Sequence, residues 1–248
     1  MADRPRFLTR LGPADAVTAA NAVLGFLAVV VASTDPRLAA RLLLLAAITD
    51  ALDGIVARQF GDTEVGPHLD SLADVSSFGV APAVLLLAVT PGGGTLGLAA
   101  FVVGGTFVAF AVVRLGVYTV EDEGHVATHG VPTALVMTVI AAATLAGIDR
   151  PALLVGATAL LAVGMVTPIQ YPDLHAQDAA VMGIVQTLAV VTAGRFGEVF
   201  AFAVLFLAVG YTVFGPRFYW REVPEDNRPN PAVGDGGDDE AVGSSQRS

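Results

Sequence analysis

The chain has no cysteine, no lysine and a single tryptophan. Without cysteine there are no disulfides and no thiolate metal sites, so any metal must take oxygen or histidine ligands. Without lysine, and with a net charge of −10, there is no basic surface for nucleic acid; every basic residue is arginine. Charge of either sign is scarce, at 15% of residues, where a soluble domain carries about 25%. Apolar residues take its place, at 54% with a mean hydropathy of +0.67. They form continuous runs near the length of about 20 residues that crosses a bilayer, without the alternation of a barrel strand.

These runs predict an all-α, polytopic transmembrane helix bundle of six to eight spans, with eight preferred: 16–34, 38–58, 67–89, 96–118, 131–148, 151–169, 179–193 and 198–214. The first run follows basic residues, but polar Thr18 and Asn21 near its start favour an uncleaved span over a signal peptide. With eight spans and the N-terminus inside, eight arginines (Arg4, Arg6, Arg10, Arg58, Arg114, Arg217, Arg221, Arg228) fall on the inner side. Four (Arg37, Arg41, Arg150, Arg195) fall outside, which, leaving out Arg247 far down the tail, orients both termini to the cytoplasmic side of the cell membrane. The domain reading is a membrane-embedded unit over 1–215 and a disordered acidic cytoplasmic tail over 216–248, rich in Pro, Gly and Asp. Zero lysine, abundant Ala and Val, and acidic exposed segments resemble the composition of halophilic archaea.

Against this background, four aspartates stand out in ITDALDGIVARQFGDTEVGPHLDSLADVSSFGVAPA. Asp50 and Asp53 are three residues apart and share a helix face with Gly54 and Ala57. In the next span Gly66, Asp70, Asp74, Ser77 and Ala81 form one stripe of small or acidic residues. The linker between the spans is short, so the two helices are antiparallel neighbours and the four carboxylates can meet. One aspartate at the bilayer centre costs about 2.5–3.5 kcal/mol, and four that repel one another cost more. Few cations are at hand: Arg58 beside the site and Arg114. Divalent cations resolve the cost. Hard oxygen donors suit Mg2+ or Mn2+, and a pair of such ions is a common phosphoryl-transfer clamp.

The same stretch resembles the signature of the CDP-alcohol phosphatidyltransferases: Asp, two residues, Asp-Gly, two residues, Ala-Arg, a spacer, Gly, three residues, Asp, three residues, Asp. Asp50, Asp53, Gly54, Ala57, Arg58, Gly66, Asp70 and Asp74 fill every fixed position. LDSLADVSSFGVAPA is similar to the phosphatidylserine synthase branch. So is PADAVTAANAVLGFLAV, through Pro13, Thr18, Asn21 and Gly25, with Asp15 offset by one place from the Asn of that opening. Downstream, Arg114, Gly130 and Pro132 match, while Val117 and Thr119 replace the second Arg and the Asn of that branch.

The resemblance implies that a CDP-activated lipid, CDP-archaeol or CDP-diacylglycerol, meets L-serine at the bilayer and that CMP is released. It implies Asp50, Asp53, Asp70 and Asp74 as metal ligands, with Asp74 also the catalytic base. Gly54, Ala57, Arg58, Gly66 and Thr18 fall to the nucleotide and its phosphates, Arg114 to the serine carboxylate, and the family implies a homodimer. Glycerol phosphate or inositol phosphate is the alternative acceptor; either calls for more cations than this chain has. Two other classes stay open. A cation or proton transporter would place ionisable groups in several other spans, and the fifth to eighth are almost free of them. A non-catalytic scaffold would not need the complete motif. Of the histidines, His68 lies nearest the motif, His125 and His129 flank a loop, and His175 has no evident partner. TPGGGTLG reads as a turn on the outer side.

Overall fold

In the computed structural model, which describes residues 10–61, 63–121, 127–172 and 175–218, the chain folds into eight helices. They are α1 (Pro13–Val31), α2 (Pro36–Phe60), α3 (Gly66–Ala88), α4 (Gly94–Glu121), α5 (Thr133–Leu145), α6 (Pro151–Met165), α7 (Ala176–Val191) and α8 (Gly194–Phe218). Prolines at the first turn of α1, α2 and α6 start those helices where a missing N–H costs nothing. Asp35 caps α2 by accepting the Leu38 N–H at 2.9 Å.

By length and composition α1, α3, α4 and α8 are long and apolar enough to cross a membrane. This is a multi-pass membrane protein. α2 has the length, at 25 residues, but carries the charged residues of the motif. α5, α6 and α7 have 13, 15 and 16 residues; α5 and α6 are shorter than the spans expected there, and α7 is close to the short span expected for it. α5 runs about 20 Å and is buried along nearly its whole length. It packs against α2, α3, α6 and α8 as the pillar of the bundle. α8 runs to Phe218, three residues past the expected boundary at 215, with Pro216 in its last turn. The rest of the acidic tail, and His125, lie outside the described residues.

Two features depart from a simple helical reading. α3 passes through a π turn at Val75–Val80, immediately after Asp74, where hydrogen bonds reach one residue further back. The stripe from Gly66 to Ala81 is therefore not of one period, although Ser77 and Ala81 remain buried. At this turn α1 makes its closest approach: a Cβ on Gly25 would stand 2.7 Å from Ser77 Cα, so only glycine fits. The second feature is a pair of three-residue strands, β1 (Ala127–His129) and β2 (Gln170–Pro172). They are antiparallel, with Ala127 opposite Pro172 and His129 opposite Gln170. Gly130, at φ +72°, follows β1; a Cβ there would collide with the Met165 carbonyl, and its N–H donates to Ile169 O at 2.7 Å.

Candidate active site

α2 and α3 meet at the end of the bundle where one stops and the other begins. Carboxylate oxygens of Asp50, Asp70 and Asp74 come within 4.8 Å of one another there, each side chain half-buried. Asp53 stands apart from this trio. It turns toward α1 and lines an adjoining cleft of about 310 Å³, shared with Asp15, Thr18, Gly54, Ala57, Gly66 and Asp70. Leu115, Tyr118 and Thr119 of α4 form the opposite wall.

α1 supports the acids from behind. Its buried face is Asp15, Thr18, Asn21, Gly25 and Ala28, a polar and small stripe on an otherwise apolar helix. Thr18 Oγ1 donates to Asp53 Oδ2 at 3.0 Å, with the Ala14 carbonyl as its other acceptor at 3.2 Å. Asn21, fully buried, donates from Nδ2 to Asp74 Oδ1 at 3.3 Å. Asp15 accepts the Gly12 N–H at 2.7 Å and the Thr63 hydroxyl at 3.0 Å, which fastens the α2–α3 loop to the start of α1. Sequence reasoning gave Asn21 and Asp15 no role. Their signal was the spacing of Asp15, Thr18 and Asn21 at three-residue steps.

Among the described residues no arginine forms an ion pair with Asp50, Asp53 or Asp74. Beside Asp74, Asn21 Oδ1 is buried without a hydrogen-bond partner. Three converging carboxylates, a further oxygen left unsatisfied and no sulfur make a hard, anionic donor set, which fits a divalent cation of the Mg2+ type.

The arginines take positions the motif alone did not define. Arg58 is exposed and lines a different space, an apolar groove of about 1000 Å³ bounded by α2, α5 and α7. It stays near the cleft, since a Cβ on Gly54 would lie 3.6 Å from Arg58 Nη1. Arg114 is half-buried behind the cleft wall. Its guanidinium lies over the Tyr118 ring at 4.6 Å, donates to Thr133 Oγ1 at 3.3 Å and interacts electrostatically with Asp74. Val117, where the resembled segment has a second arginine, is 45% exposed and does not line the cleft. Thr119 does line it, 2.5 Å from the Ser71 hydroxyl. His68 is exposed and outside the cleft, and His175 lies beside Asp178.

Known proteins resemble this chain over the region that carries the site. The family model for CDP-alcohol phosphatidyltransferases matches residues 12–170, which takes in the acids, the cleft and β1. The chain is 32% identical to archaetidylserine synthase of Methanothermobacter thermautotrophicus over 173 residues, covering 67% of this chain and 72% of that protein. It is 33% identical to the CDP-diacylglycerol–serine O-phosphatidyltransferase of Helicobacter pylori over 168 residues, 63% of this chain and 70% of that one. With the protein of that name from Methanocaldococcus jannaschii it shares 47% identity over 73 residues, 29% of this chain and 33% of the other. By the family match and by these relatives, the chain belongs to the CDP-alcohol phosphatidyltransferase family.

Proposed function

We propose that the chain transfers the lipid-bearing phosphoryl group of a CDP-activated lipid to the hydroxyl of L-serine. The carrying observation is that a polar, carboxylate-lined cleft and a long apolar groove lie on either side of α2, with Arg58 at their junction. A CDP-lipid has that same division. Its cytidine diphosphate suits the cleft, its chains suit the groove, and Arg58 stands where the phosphates join them. The archaetidylserine synthase relative, with the halophile-like composition, favours CDP-archaeol as donor.

Asp74 takes the proton of the serine hydroxyl. The oxygen attacks the lipid-linked phosphorus, the bond from that phosphorus to the CMP oxygen breaks, and CMP leaves with the electron pair. Asn21 holds one Asp74 oxygen, so the other can face the acceptor. Asp50, Asp53, Asp70 and Asp74 would hold Mg2+ or Mn2+, two ions in this reading, which when bound supply charge neutralisation at the phosphates. Thr18 keeps Asp53 oriented. Gly54, Ala57 and Gly66 leave room for the nucleotide. Arg114 receives the serine carboxylate. Among the described residues no arginine lines the cleft itself, which favours serine over phosphorylated acceptors such as glycerol phosphate or inositol phosphate. The arginine bias favours a site on the cytoplasmic face of the cell membrane, and a homodimer is the assembly proposed.

The test is CMP release by the purified protein with CDP-lipid vesicles and Mn2+, comparing L-serine, glycerol phosphate and inositol phosphate. Release should depend on serine, stop with a chelator and return with added metal. Release driven by a phosphorylated alcohol and not by serine would refute the acceptor.

A further inference from the structure

Three of the four tyrosines in the chain fasten the two strands to the bundle. The Tyr118 hydroxyl donates to His129 O at 2.9 Å and accepts the His129 N–H, so α4 grips the backbone of β1 by both of its polar groups. The Tyr171 hydroxyl, on β2, donates to Thr212 O at 3.0 Å. The Tyr211 hydroxyl donates to Pro172 O. The strands thus form a strap across the site end of the bundle. One side meets the cleft wall at Tyr118; the other closes the apolar groove, which Tyr171, Pro172 and Tyr211 line.

Tyr118 also carries Arg114. The guanidinium carbon lies over the ring, 4.6 Å from its centroid, the group donates to Thr133 Oγ1 of α5, and the buried Nε has no hydrogen-bond partner among the described residues. A half-buried cation that interacts electrostatically with Asp74 and is stacked on a ring itself bonded to a strap is a preorganised anion receptor. A flexible arginine would lose side-chain freedom on binding; this one has lost it already.

We infer that Tyr118 is a positioning residue for acceptor selection: through its ring and its strap bond it holds Arg114 where a carboxylate on the acceptor is received. The inference rests on serine being the acceptor, and it names a residue that neither the family motif nor the cleft acids would single out.

The experiment is steady-state kinetics of the full-length protein in CDP-lipid vesicles, with wild type, Tyr118→Phe, Tyr118→Leu, Arg114→Ala and the Arg114→Ala/Tyr118→Leu pair. Tyr118→Leu removes ring and hydroxyl and should raise the KM for serine about 5–30-fold, the range for a desolvated cation–ring contact. The KM for CDP-lipid should rise several-fold less. Tyr118→Phe keeps the ring and should lie between wild type and Tyr118→Leu. The paired variant should be no worse for serine than Arg114→Ala alone, because both act through one group. Thermal melting of each variant separates misfolding from a kinetic effect. An equal rise in both KM values, a loss confined to kcat, or effects that multiply in the pair would overturn the inference. If wild type does not respond to serine at all, it is the acceptor reading that has failed.

Discussion

The two faces of α2 carry the same spacing and opposite chemistry. Asp50, Asp53, Gly54 and Ala57 look into the acid site and its cleft; Ile48, Ala51, Leu52 and Ile55 line the apolar groove. Both sets fall at i, i+3, i+4 and i+7, so one helix presents a charged wall and an oily wall back to back. The cleft is small and lined by eight polar side chains, four of them on α1, α2 or the α2–α3 loop; the groove is about three times larger and mostly hydrocarbon. This division explains how a sequence this apolar tolerates four carboxylates. Their cost is confined to one edge of α2 and the facing edge of α3, where hydrogen bonds from α1 to Asp53 and Asp74 offset part of it and a divalent cation would offset more. The opposite edge of α2 still packs in an apolar setting.

The largest effect should come from emptying the charged face. Asp50→Asn with Asp70→Asn should abolish saturable Mn2+ binding, followed by electron paramagnetic resonance, together with turnover. Normal activity in this pair would sink the metal-site reading. Asp74→Asn should lower turnover by about 10²–10⁴, the usual range for a lost general base, while CDP-lipid binding largely persists. If binding falls as far as turnover, Asp74 is chiefly a ligand. Thr18→Val, nearly the same size but without the hydroxyl that holds Asp53, should lower metal affinity or activity about 10–100-fold, read by Mn2+ titration. On the oily face the expected change is smaller and falls on the other substrate. Gly183→Phe projects a ring into the groove from a backbone position with open space. It should raise the KM for CDP-lipid about tenfold, the equivalent of roughly two lost methylene contacts, and leave the KM for serine alone. A serine-specific defect would mean that the groove is not the donor's.

The charged face was legible in the sequence because aspartate in an apolar run is conspicuous and its spacing is local. The eight helices and the approach of α2 to α3 followed from run lengths and a short linker. What stayed hidden was non-local or sub-helical. The π turn after Asp74 adds no residue type that announces it. β1 and β2 pair across some 40 residues of intervening helix, with three residues each, too short for any period to show. Arg58 reads as part of the acid motif by position, yet its place on α2 turns it to the groove. Asp15 looked like a misplaced motif residue until Thr63 and Gly12 were seen to bind it. The shortness of α5 was visible only once its burial showed that it serves the core, where a helix need not reach both surfaces.

The central claim is that the charged face joins serine to a lipid carried on the oily one. The most direct measurement is incorporation of isotope-labelled L-serine into extractable lipid by the purified protein, with CMP counted in parallel. The expected result is one labelled lipid formed per CMP released, dependent on Mg2+ or Mn2+ and nearly lost in Asp74→Asn. CMP release without labelled lipid, or equal labelling by wild type and Asp74→Asn, would contradict it.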